Sequence, residues 1–275
     1  MLFNSSDPAD WNAALALYPQ AFKALVATKA DQSIIALDSW YQTEFPALLA
    51  SRSPQYITHD EIVKLVAWKL KRGKYRPALA KMVAEHADTV VRRTSQEAFK
   101  LVHQGDLKAG ITKMSELKGV GPATASAILC AGAPDKVPFM ADESVDSVPG
   151  LGKIAYNLAY YLKFAAKVID KAAQLKTVGG ADVDTPHLVE LALWADMMAD
   201  KFGIPRPDVD KKAQKQKKEE SAATSIAASG DKKRKAADSS PPTTAPSKSK
   251  ETKEVKDEDT SNKKTRITRS SATKK

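Results

Sequence analysis

The chain has 275 residues, 43% of them hydrophobic, with 43 Lys and Arg against 33 Asp and Glu and a single cysteine. That composition supplies one sizeable core and excludes both an intramolecular disulfide and a four-cysteine iron–sulfur cluster. It offers no apolar run of membrane-spanning length and no secretory h-region after the initial Met-Leu-Phe-Asn, so neither secretion nor a membrane partner is expected.

Apolar residues recur at three- and four-residue intervals and no segment alternates like a strand, so an all-α domain is expected over residues 1–204. The first helices are predicted over 9–17, 20–28 and 33–40. Thr58 reads as the N-cap of a helix over 60–71, in which Ile62, Val63, Val66 and Leu70 form one apolar face. The next helix is predicted over 77–85, beyond a loop marked by Gly73 and Pro77. Between 62 and 84 stand Lys64, Lys69, Lys71, Arg72, Lys74, Arg76 and Lys81 without one acidic residue. Such a run is either a solvated helix face or a surface for nucleic-acid phosphates. Lys69, Lys71, Arg72, Lys74 and Arg76 are the candidates for phosphate contact. Trp68 is expected in the core, and Tyr75 is placed to stack on a base.

Short helices are predicted over 89–91 and 95–102, and a longer one over 107–117. There the chain reads Leu-Lys-Gly-Val-Gly-Pro-Ala-Thr-Ala-Ser-Ala-Ile-Leu, from Leu117 to Leu129. Gly119 and Gly121 leave peptide N–H groups uncovered, and Pro122 suits the first position of a helix over 122–130. The free N-terminal amides and the positive end of that helix would face an anion, directly or through a monovalent cation. No other cofactor is expected. A dinucleotide-binding turn is a poorer fit, because it needs a preceding strand and a third glycine where Thr124 stands. A plain helix–helix turn with glycine C-caps is the remaining alternative.

This segment resembles the helix-hairpin-helix motif of DNA repair proteins, whose leucine, glycine, hydrophobe, glycine and downstream alanine fall here between Leu117 and Ile128, within a hairpin over 108–130. The resemblance implies DNA contact by Lys118, Gly119, Val120, Gly121, Ala123 and Thr124. Asp142 lies 19 positions beyond Ala123, close to the essential aspartate of helix-hairpin-helix DNA glycosylases. The resemblance makes it the catalytic candidate, a carboxylate that stabilises positive charge on the sugar as the base departs. As an ordinary residue it would serve as an N-cap beside Glu143. Where bifunctional members carry a lysine nucleophile, two residues after the second glycine, this chain has Ala123, which cannot form a Schiff base. Any excision is therefore expected to use water, without a lyase step. Glu143 and Ser144 also depart from the usual residue after the aspartate.

The last helices are predicted over 153–175 and 186–202, with Thr185 as N-cap and Gly203 closing the second. Cys130 reads as a small buried hydrophobe, and the four histidines lack metal-ligand spacing. Residues 205–275 turn to Lys, Ser, Thr, Ala, Glu and Pro and are expected to be disordered. They hold 20 basic and 11 acidic side chains, whereas residues 1–204 hold 23 and 22, so the net charge of +10 belongs almost wholly to this tail. Lys217 and Lys218, followed by Lys232, Lys233, Arg234 and Lys235, read as a bipartite nuclear localisation signal. Nuclear import receptors are the partners this implies, and the nucleus the location.

Taken in order, the segments Trp68 to Pro77, Leu117 to Leu129 and Val137 to Glu143, with Lys153 to Tyr161, resemble the eukaryotic Amun-like family, assigned to the DNA glycosylase fold. The likeness covers about residues 10–204. It implies a helix-hairpin-helix DNA glycosylase-like helical domain followed by a disordered basic tail. Three functions are compatible with it: a nuclear binder of duplex DNA without efficient catalysis, a monofunctional glycosylase using Asp142, and a chromatin scaffold that binds no DNA.

Overall fold

The computed structural model describes residues 1–206; the tail lysine clusters predicted as a nuclear signal lie outside the described residues. Among the described residues there is no strand. The helices are α1 Pro8–Ala16, α2 Tyr18–Ala27, α3 Ile34–Ser39, α4 Phe45–Ala50, α5 His59–Arg72, α6 Pro77–Ala84, α7 Asp88–His103, α8 Leu107–Met114, α9 Pro122–Gly132, α10 Asp142–Asp146, α11 Leu158–Val178 and α12 Pro186–Phe202, with a π-helical turn at Trp40–Glu44.

Side-chain caps fix where several helices begin. Thr58 accepts from the amide of Glu61 while the Glu61 carboxylate takes the amide of Thr58, a full capping box, and Arg52 grips the same carboxylate at 2.6 and 2.8 Å. Asp106 and Thr185 cap α8 and α12 more simply, each side chain accepting one backbone amide, from Ala109 and Leu188, and Pro186 occupies the first turn of α12.

Three elements differ from expectation. The segment 88–103 is one helix, because Arg92 and Arg93 turn toward solvent while the buried Ser95 is satisfied: its Oγ donates to the Arg92 carbonyl and accepts from the Ile57 amide at 3.0 Å each. Helix α4 was not predicted; Pro46 stands in its first turn, where no amide hydrogen is needed. Helix α11 starts at Leu158 rather than 153, since Asn157 caps it by accepting from the Tyr160 amide at 2.9 Å, and this leaves 147–157 as a loop.

Helix α9 is the centre of the packing. Every side chain from Ala123 to Ala131 is buried, and the helix touches α4, α5, α7, α8 and α11. Its run of alanines lets neighbours come close, and an added Cβ on Gly132 would stand 2.4 Å from the Phe99 ring. Tyr41 reaches across to donate a hydrogen bond to the Ala127 carbonyl at 2.8 Å and stacks on Trp68, 3.6 Å between centroids. Trp68 is a core residue, as its spacing predicts, with Nε1 donating to Asp38 at 2.9 Å.

Candidate nucleic-acid interface

The turn between α8 and α9 stays at the surface. Gly121 and Lys118 are exposed, and the amides of Gly119, Gly121 and Ala123 donate to no backbone carbonyl. The amide of Val120 turns back to Leu117, closing the bend at 2.9 Å. His86 holds the turn against α6, its Nε2 2.9 Å from the Lys118 carbonyl oxygen. The two glycines serve different ends. Gly119 has φ +86°, and a Cβ there would meet Met82 at 2.8 Å and the Leu79 carbonyl at 3.2 Å. Gly121 has φ −92°, and a Cβ there meets nothing within 4 Å. Gly119→Ala should therefore cost about 2 kcal/mol of stability through strain and close approach, whereas Gly121→Leu should unfold at nearly the native denaturant concentration. Equal losses in the two melts would show that Gly121, too, is present for folding alone.

Residues far apart in sequence meet beside this turn around a cavity of about 420 Å³. One wall is the turn itself, from Leu117 to Thr124; a second is the end of α5 and its loop, with Lys69, Arg72, Lys74 and Arg76. Phe139, Met140 and Asp142 form a third, and Tyr156 closes it from the loop before α11. The third wall is fixed by buried polar bonds. Ser126 on α9 accepts from the Met140 amide at 3.0 Å, and Tyr161 on α11 donates to the Pro138 carbonyl at 3.2 Å, so the extended segment ahead of α10 lies pinned between two helices.

Asp142 is the first residue of α10, but Ala141 is the cap and the Asp142 side chain takes no capping bond. Its Oδ2 instead accepts from Lys74 Nζ and the Tyr156 hydroxyl, each at 2.8 Å, with 22% of the side chain exposed. Burial opposes ionisation, yet the bonds from Lys74 and Tyr156 and the charge of Lys69 outweigh it and hold the carboxyl below its usual range. Asp142 is thus an oriented carboxylate at neutral pH. The Arg76 guanidinium lies 4.8 Å from the Tyr156 ring centre, on the same edge of the cavity.

Not every candidate contact residue is open to a ligand. Arg72, a candidate for phosphate contact, borders the cavity but is only 5% exposed, its guanidinium set among Trp194, Trp68 and Phe139, 4.1 to 5.6 Å from the ring centres. Its Nε and Nη2 find no hydrogen-bond partner among the described residues, so the aromatic faces take the place of acceptors. Lys71 pairs with Asp31 and does not line the cavity. The side chains of Val120, Ala123 and Thr124 are buried, which leaves only backbone groups of these three for a ligand. Tyr75 is exposed, and its phenol does not line the cavity. Several lining residues were not singled out from the sequence: Leu79, Met82 and Met140, and also Phe139 and Tyr156, the last of which the 153–175 prediction put inside a helix. The Asn157 cap signal would have placed Tyr156 in the loop. Comparison with protein-family models, curated proteins and solved structures gives no match for this chain.

Proposed function

We propose that the chain binds duplex DNA at the turn 118–123 and the segment 69–76, receives an extruded nucleotide in the cavity between them, and releases its base with Asp142 as the stabilising carboxylate. One observation carries this: free backbone amides, cationic side chains and an ionised aspartate all line a single cavity of about 420 Å³, within the range of small-molecule sites. The amides at the start of α9 suit a phosphate on the strand. An extruded base needs a pocket with apolar walls, which Leu117, Met140 and Phe139 provide. As the glycosidic bond breaks, positive charge grows on the sugar, and a fixed carboxylate stabilises that charge more than the ground state. The all-α class supports the glycosylase scaffold that the Amun-like resemblance implies, and the basic clusters at 217–218 and 232–235 support nuclear import.

A second function, binding of DNA shape without turnover, is favoured by one specific contact. Lys74 and Tyr156 already occupy Asp142 Oδ2, which lowers the field the carboxylate presents to a sugar. Base release from a panel of lesion-bearing duplexes separates the two. The interface itself is tested with Gly121→Leu, whose side chain enters the space where a strand would run. Affinity for duplex DNA should fall at least tenfold while the unfolding transition stays in place. Undiminished affinity in that variant would move DNA contact away from the turn.

A further inference from the structure

The cavity holds an amine that the mechanism above does not use. Lys69 leaves the last turn of α5 half-buried, lines the cavity together with Asp142 and Ala123, and holds its Nζ 5.9 Å from the Phe139 ring centre. Ala123 removes any nucleophile from the start of α9, but the fold brings this lysine to the same chamber from another helix. We infer that Lys69 is a nucleophile that captures the aldehyde of an abasic deoxyribose, giving the site a strand-cleaving step after base loss. This rests on the proposed base-excision function, whose product is that sugar.

The chemistry is balanced without any further reactant. The neutral Nζ adds to C1′ of the open-chain aldehyde, forming the N–C bond while the carbonyl electron pair moves to oxygen and is protonated. Water then leaves and an iminium remains. Loss of the C2′ proton to Asp142, with departure of the 3′ phosphate from C3′, cuts the strand, and water releases the amine. Neutral amine is at hand: burial pushes Lys69 down to about 8, with Asp142 opposing and the cations Arg76 and Arg72 assisting. Lys74, by contrast, is held up by its bond to Asp142 and stays charged.

The test is reductive trapping. The full chain is mixed with a duplex carrying one abasic deoxyribose, borohydride is added, and the covalent adduct is measured and mapped by peptide mass spectrometry. The expected adduct sits on Lys69, and its initial rate of formation climbs with pH toward 8. Lys69→Arg keeps the positive charge and should lose at least nine-tenths of the mapped adduct per duplex bound, with binding titrated in parallel; Lys163→Arg, exposed on α11 and outside the cavity, should keep it. Adduct found only on other lysines, such as those of the tail, or equal adduct with Lys69→Arg, overturns the inference. Duplex binding with no adduct rejects the lyase step but leaves base excision standing, whereas absence of duplex binding removes both.

Discussion

Asp142→Asn should reduce base release from a lesion-bearing duplex by roughly a hundredfold to ten-thousandfold, while affinity for the same duplex changes less than about threefold. Asparagine is nearly isosteric. Its side-chain oxygen can still accept from the Tyr156 hydroxyl, so the loop before α11 keeps its anchor, and the loss is confined to the charge. Binding should persist because the phosphate contacts are assigned to the turn amides and to Lys118 and Arg76, not to the carboxylate. The substitution even removes a negative charge from beside the strand. Single-turnover base release measures the first quantity, and titration of a non-cleavable duplex the second. The native activity should also hold a plateau into mildly acid solution, since Lys74 and Tyr156 keep Asp142 ionised below the usual carboxylate range. Undiminished release in the asparagine variant would falsify a catalytic duty for Asp142; native protein that binds the lesion duplex but frees no base would favour the shape-binding alternative.

Much of the helical frame was legible because its signals are local. Thr58 and Thr185 mark starts through hydrogen bonds made within four residues, Pro186 does so because the first helical position needs no amide hydrogen, and the Leu117 to Leu129 pattern gives the turn and the start of α9 from its own glycines and proline. The site was legible only in part. Asp142 and the basic segment were marked by pattern, but whether a lysine on α5 faces the cavity depends on how α5 packs against α9. A hundred-degree step per residue separates the fates of neighbours there. Lys69 lines the cavity, Lys71 pairs with Asp31 elsewhere, and Arg72 turns inward among three aromatic rings contributed by α5, the segment before α10, and α12. No window of sequence contains those partners together. Tyr156 was hidden for a different reason: the four residues 153–156 before Asn157 imitate a helix that the cap forbids.

Glu190→Gln should make the protein more stable above pH 7 and leave it nearly unchanged near pH 4.5. Glu190 lies on α12, 1% exposed, and Ser144 donates to its Oε1 at 2.7 Å and to its backbone carbonyl at 3.1 Å, tying α10 to α12. Burial pushes its carboxyl up to about 7, although the Arg72 charge and the Ser144 bond pull the other way. Because the folded value is raised, the unfolded chain ionises first as pH climbs from about 4.5 to about 7, and stability is lost across that window. The gap corresponds to a loss on the order of 3 kcal/mol, an upper figure for a group with a charged neighbour. Glutamine cannot ionise and can still accept from Ser144, so the difference between the two chains should open between pH 5 and pH 8 in denaturant titrations. Asp142, two residues before Ser144 on the same helix, would keep its place, and base release at pH 8 should survive the substitution. A glutamine variant less stable than the native chain at pH 8 would mean that the ionised carboxylate stabilises the fold through Arg72, so that folding lowers the Glu190 value instead of raising it and the cluster beneath the cavity is a net favourable ion pair.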